Sequence, residues 1–110
     1  MDWNIETYET SRREKVIDEF IKNQKPQARS KIVHIVKLLK FYGNQLGLPH
    51  SKALGAGLYE LRIRGRDEIR IIYCFAPQKT IYLLHGFKKQ TQKTPKKELD
   101  IALQRMKNLT

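Results

Sequence analysis

From Leu58 the chain alternates. Tyr59, Leu61 and Ile63 are apolar, while Glu60, Arg62 and Arg64 between them are charged. Successive strand side chains point to opposite faces, so this run predicts a strand with one core face and one charged face. Gly65-Arg66-Asp67 interrupts the pattern, and a second run follows. There Ile69, Ile71, Tyr73 and Phe75 form the apolar set, and Glu68, Arg70, Ile72 and Cys74 fall opposite. After a turn at Ala76-Pro77-Gln78-Lys79, a third run from Thr80 to Phe87 is almost wholly apolar, as expected of a central strand. Pairing the first two runs as a hairpin gathers Arg62, Arg64 and Arg70 on one side of a sheet, with Glu60 and Glu68 near them.

The flanking segments read as one short strand and three helices. Trp3, Ile5 and Thr7 alternate with polar neighbours and predict a first strand added to the later three. Ser11 and Glu14 have capping-box spacing ahead of Val16, Ile17, Phe20 and Ile21, which share a helical stripe. That helix should end near Asn23, because Pro26 cannot continue it. Pro26 suits the first turn of a second helix, with Ile32, Ile35, Val36 and Leu39 as its apolar face and Gly43 closing it after Tyr42. Residues 43–57 carry four glycines and no period, which predicts a loop holding His50 and Lys52. In the last helix, Thr94 is the expected cap, Pro95 the first position, and Leu99, Leu103 and Met106 the apolar stripe. The expected architecture is a single α+β domain over residues 1–110. It has a small antiparallel β-sheet, an N-terminal helical hairpin on one face and a C-terminal helix.

Charge adds a functional question to this outline. Lys and Arg number 22 against 11 Asp and Glu, a formal charge of +11. The first twenty residues hold six acids and three bases, so the remaining ninety hold nineteen bases and five acids. Such an excess repels itself in a compact domain and points to a polyanionic partner. The lone Cys74 excludes an internal disulfide and a multi-cysteine zinc site, and its apolar neighbours make it a small buried hydrophobe. No apolar run approaches the roughly 18 residues that would span a bilayer. Met1-Asp2-Trp3-Asn4 does not open as a signal peptide does, so the expected location is the cytoplasm, with no membrane partner.

His34, His50 and His85 are widely spaced, and none forms a ligand pair with a carboxylate. Gly55-Ala56-Gly57 lacks the Lys-Ser/Thr of a phosphate-binding loop. RNA cleavage by the ribose 2′-hydroxyl makes other demands. A base takes the hydroxyl proton, an acid protonates the leaving 5′-oxygen, and cations hold charge growing on the phosphoryl oxygens. Arg62, Arg64 and Arg70, with Lys88 or Lys89 beside them, supply such cations. The competing reading is a solvated face whose arginines are neutralised by Glu60 and Glu68. Periodicity weighs the two evenly.

Three stretches carry a resemblance. Gly57-Leu58-Tyr59-Glu60-Leu61-Arg62-Ile63, Ile69-Arg70-Ile71-Ile72-Tyr73, and Leu83-Leu84-His85-Gly86-Phe87-Lys88-Lys89 with Thr91-Gln92-Lys93-Thr94-Pro95 resemble the RelE/ParE superfamily, and within it the HigB-like, phage-derived branch. The resemblance implies a microbial-RNase-like sheet and the toxin of a type II toxin–antitoxin pair. It implies metal- and cofactor-free endoribonuclease action on mRNA at the ribosome, inhibition of translation, and neutralisation by a cognate helix-turn-helix, HigA-like antitoxin. DNA would be met only through that antitoxin. It also keeps open a ParE-like alternative, a non-nuclease toxin acting on DNA gyrase.

Matched residue by residue, Arg70 falls at the superfamily's phosphate-contacting arginine, and Arg62 and Arg64 at basic positions of the preceding strand. Lys88 and Lys89 fall at a basic site after the last strand. His50 lies near the general base of several relatives, with Lys52 a neighbouring cation, and Glu68 matches a supporting carboxylate. Arg64, Lys52, Lys93, Lys96 and Lys97 are the expected RNA-backbone contacts. Where many relatives carry a Tyr or His acid, this chain has Gln90-Thr91-Gln92 and Lys93-Thr94-Pro95. His85 is the substitute within reach, although an apolar strand favours its burial.

Overall fold

The computed structural model describes residues 2–91 and 93–109. The alternating runs become β3 (Leu58–Ile63), β4 (Ile69–Ala76) and β5 (Thr80–Lys88) of one sheet. β1 (Asn4–Thr7) and β2 (Ser51–Gly55) close its two edges, giving the order β1-β5-β4-β3-β2. β2, β3, β4 and β5 pair antiparallel, but β1 runs parallel to β5, with Ile5 opposite Ile81. The sheet is therefore mixed, not purely antiparallel as expected. Alternation assigns faces to a strand but says nothing of its direction or its neighbour.

β2 lies inside the stretch expected to be a loop. Its inward position is held by Ser51 rather than an apolar residue, so no alternation marked it. The buried Ser51 hydroxyl shares a 2.5 Å hydrogen bond with the Tyr73 hydroxyl, which satisfies two polar atoms in the core.

α1 (Val16–Lys22) and α2 (Pro26–Tyr42) cover one face of the sheet, and α3 (Lys96–Lys107) covers part of the other. Ile17, Ile32 and Leu39 pack on Leu61, Ile63, Ile69, Ile71, Tyr73, Ile81 and Leu83. Beneath α3, Ala102, Leu99, Leu103 and Met106 meet Leu58, Ile72, Cys74, Leu84 and Phe87. The helical stripes and the start of α2 at Pro26 follow the expectation, and Gly43 ends α2 with a positive φ of 55°. Two caps do not. The chain reverses at Arg13, so Glu14 bonds Thr10 rather than Ser11, and α1 starts at Val16 behind Lys15. Pro95, not Thr94, stands at the cap of α3, and the Thr94 hydroxyl is used elsewhere.

Candidate functional site

α3 leaves one end of its sheet face uncovered, and the charged positions of β3 and β4 lie there. Register sets the arrangement. Lys52, Glu60, Ile72 and His85 are successive partners across β2, β3, β4 and β5, and the next row places Arg62 opposite Arg70 and Arg70 opposite Phe87. The Lys89 amide donates to the Glu68 carbonyl at 2.7 Å, which carries the ladder one row further. Arg62, Arg64, Glu68, Arg70, Lys89, Gln90 and Thr91 line a cleft of about 560 Å³.

Two guanidinium groups directly opposed on a sheet repel, so something must hold them together. That is Glu60, whose side chain is 1% exposed. Its Oε1 lies 3.4 Å from Nε of both Arg62 and Arg70. The Thr94 hydroxyl donates to its Oε2, which ties the segment after β5 down onto the sheet. A buried carboxylate is costly unless paired and hydrogen-bonded, and here two cations and a hydroxyl meet that need. Arg70 is itself buried. Its Nη1 donates to Glu68 at 2.9 Å and to the Ile69 carbonyl at 3.1 Å, while its Nε has charge attraction to Glu60 without an aligned hydrogen bond. Arg62 and Arg70 are thus partly matched by acids. The cluster as a whole is not, since Lys52, Arg62, Arg64, Arg70 and Lys89 stand against Glu60 and Glu68 only. Among the described residues, Arg64 and Lys89 make no ion pair. Desolvation pushes the Lys89 ammonium below its ordinary pKa. Glu60 opposes that, and Arg70, Arg62 and Lys52 add to it.

The remaining expected residues divide. Lys88 pairs with Ile69 in the ladder, on the face away from Arg70, and its ammonium lies 3.8 Å from Asp67. The structure therefore does not bring Lys88 into the cleft. His50 accepts the Arg62 amide through its carbonyl at 2.8 Å and lines an adjoining cavity that shares Arg62 and Arg64 with the cleft. Lys93 is exposed on the segment leading into α3, Lys97 is exposed in its first turn, and Lys96 is paired with Asp100 at 2.9 Å. None of the three lines the cleft. Gln92, part of the stretch that replaces the Tyr or His acid, lies outside the described residues.

His85 is drawn into structure. Its Nε2 lies 2.7 Å from Glu98 of α3 and its Nδ1 3.4 Å from Arg105, whose Nη1 also donates to the Leu84 carbonyl. The ring stacks on Phe87. Burial pulls its pKa below 6.5, the Glu98 hydrogen bond opposes this, and the Arg105 charge reinforces it. Among the described residues, no group of three or more His, Cys, Asp or Glu is placed to hold a metal, and no helix is long and apolar enough to cross a membrane.

Sequence reasoning offered Glu60 as a carboxylate neutralising the arginines, a pairing the structure shows. It missed the burial of Glu60 and its bond to Thr94, and the presence of Gln90 and Thr91 in the wall. Glu60 sits on the charged face by alternation, and only the third dimension shows that Thr94 covers it.

A family model described as "Phage derived protein Gp49-like (DUF891)" matches residues 19–107, a span that contains every residue of the cleft. No curated protein matches the sequence.

Proposed function

Because the chain belongs to the Gp49-like family of phage-derived proteins, a toxin–antitoxin toxin family of RelE/ParE-like type, we propose that it is a toxin that cleaves mRNA on the ribosome. The observation that carries this reading is the convergence of Arg62, Arg64, Arg70 and Lys89 on one open cleft with more cations than acids. In this reading a phosphodiester enters between Arg64 and Lys89. It displaces the half-exposed Glu68 from Arg70, so that the planar guanidinium groups pair with the phosphoryl oxygens. Glu60 stays in place and fixes their aim.

The ribose 2′-oxygen then attacks phosphorus as the bond to the 5′-oxygen breaks, leaving a 2′,3′-cyclic phosphate and a free 5′-hydroxyl. His50, at the border of the cleft, takes the 2′-hydroxyl proton. Lys89 gives a proton to the leaving oxygen. An arginine cannot release one near neutral pH, and the lowered pKa of Lys89 makes it the better acid. No metal is assigned a step, since the cations carry the charge that develops. Glu68 is the supporting carboxylate, and the toxin acts in the cytoplasm, where translating ribosomes are.

Family membership implies a partner antitoxin. A HigA-like, helix-turn-helix antitoxin is the form that fits this reading, with any DNA contact made by that partner. The test is primer extension on mRNA in a translating system containing the purified toxin, with the cleaved ends analysed chemically. Internal cuts bearing 2′,3′-cyclic phosphate support the proposal. Intact mRNA together with inhibited supercoiling by DNA gyrase would replace it with the gyrase-blocking alternative.

A further inference from the structure

The cleft does not end at the sheet. Arg62 and Arg64 form a wall shared with a second cavity of about 360 Å³, lined by His34 and Ile35 of α2, Pro49, His50 and Ile63. Lys31 and Ile63 in turn are shared with a third cavity of about 300 Å³, which reaches Lys25, Gln27, Gly65 and Arg66. Together they make one groove running from the arginines between the first half of α2 and β3 to the β3–β4 turn.

Its chemistry is uniform. Every charged side chain lining the second and third cavities is basic except Asp67, and Asp67 faces the Lys88 ammonium. Lys31 bridges the groove by donating to the Arg64 carbonyl at 3.3 Å, which leaves its other ammonium hydrogens for a ligand. The middle cavity is lined by Ile35 and Pro49 together with His34 and His50, and about 360 Å³ accepts a nucleobase.

We propose that this groove is the track for single-stranded RNA next to the scissile phosphate: one base seats against Ile35 and Pro49, and Lys31, Arg66 and Lys25 hold the following phosphates. The inference rests on the nuclease reading, and it differs from the sequence expectation. That expectation put the backbone on Lys52, Arg64, Lys93, Lys96 and Lys97; Arg64 lines the cleft and the middle cavity, and none of the other four lines any of the three cavities. Charge complementarity and continuity with the arginine cleft select a polyanion. The middle cavity, large enough for one base and lined by Ile35 and Pro49, selects unpaired bases over a duplex.

The test uses the full chain and a short oligoribonucleotide carrying 4-thiouridine, with deoxyribose at every potential cleavage site so that it stays intact. Photocrosslinks are mapped by mass spectrometry, and affinity is followed against salt. The expected result is crosslinking to peptides of α2 and the Pro49-His50 segment. For the Lys31→Gln/Arg66→Gln double variant, the log–log salt slope should be shallower by about 1.4, the value for two lost single-strand phosphate contacts. Crosslinks confined to residues 93–97, a larger loss for Lys93→Gln/Lys97→Gln than for the groove pair, stronger competition by duplex RNA, or no RNA binding at all would each overturn the groove. Groove crosslinks without mRNA cleavage would keep the track and remove the nuclease. Cleavage with crosslinks elsewhere would do the reverse.

Discussion

Replacing Glu60 by Gln tests the internal logic of the site. The substitution keeps the shape and a hydrogen-bond acceptor for Thr94 but removes the charge shared by Arg62 and Arg70. Breaking a buried ion pair from one side costs about 3–5 kcal/mol, because the partner charge is left uncompensated. Here both contacts are 3.4 Å long, Arg62 is 15% exposed, and Arg70 keeps Glu68, whose own 39% exposure weakens it. These reduce the expected loss to about 2–3 kcal/mol. For a domain of this size that is a fall of roughly 9–13 °C in Tm. Urea unfolding followed by far-UV circular dichroism reads the loss directly. At temperatures where the variant is folded, its mRNA cleavage should also fall, since both guanidinium groups lose their aim. A variant within about 0.5 kcal/mol of the parent, the usual range for an inconsequential surface change, would refute Glu60 as the anchor.

Other expectations follow from the same geometry. Lys89→Ala, which removes the proposed general acid, should lower mRNA cleavage by about 10²–10⁴-fold, whereas Lys88→Ala on the opposite face should stay within about twofold; equal losses would contradict the placement. His85 has a folded pKa below 6.5, so it contributes stability above that pH and loses it as pH falls through the folded value. The urea midpoint should therefore drop between pH 7 and pH 5, and His85→Gln, still facing Glu98 and Arg105, should flatten the drop. An unchanged pH profile in the variant would sink the assignment. Gly43→Ala should destabilise by about 2 kcal/mol or more, through a positive φ and a β-carbon driven into the Trp3 ring, and Tm is the readout.

The parts of this fold written in local periodicity were legible in the sequence. Tyr59-Leu61-Ile63 and Ile69-Ile71-Tyr73-Phe75 do face the α1–α2 layer, as alternation required. Pro26 and Gly43 bound α2, because each has a backbone constraint that few other positions accept. What failed depended on contacts between distant segments. Nothing local sets β1 parallel to β5, and Ser51 conceals β2 because its inward polar group is satisfied by Tyr73, 22 residues on. The site divides the same way. Arg62, Arg64 and Arg70 share a face by period two, while the Lys88 and Lys89 pair could be resolved only by the register of β5, in which Lys88 takes the place opposite Ile69. Thr94 illustrates the ambiguity of a good capping residue. Its hydroxyl had a second possible partner 34 residues away, and Glu60, buried and short of donors, claims it.

The most direct test of the account is the mRNA cleavage rate of folded Arg70 variants on translating ribosomes, under single-turnover conditions. A transition-state donor of this kind contributes roughly 10²–10³ in rate, so Arg70→Ala should lose that much. Arg70→Lys, which keeps the charge but not the planar fork, should recover only part of it. Cleavage by folded Arg70→Ala at the rate of the parent protein would contradict the claim that these sheet arginines act on a phosphodiester.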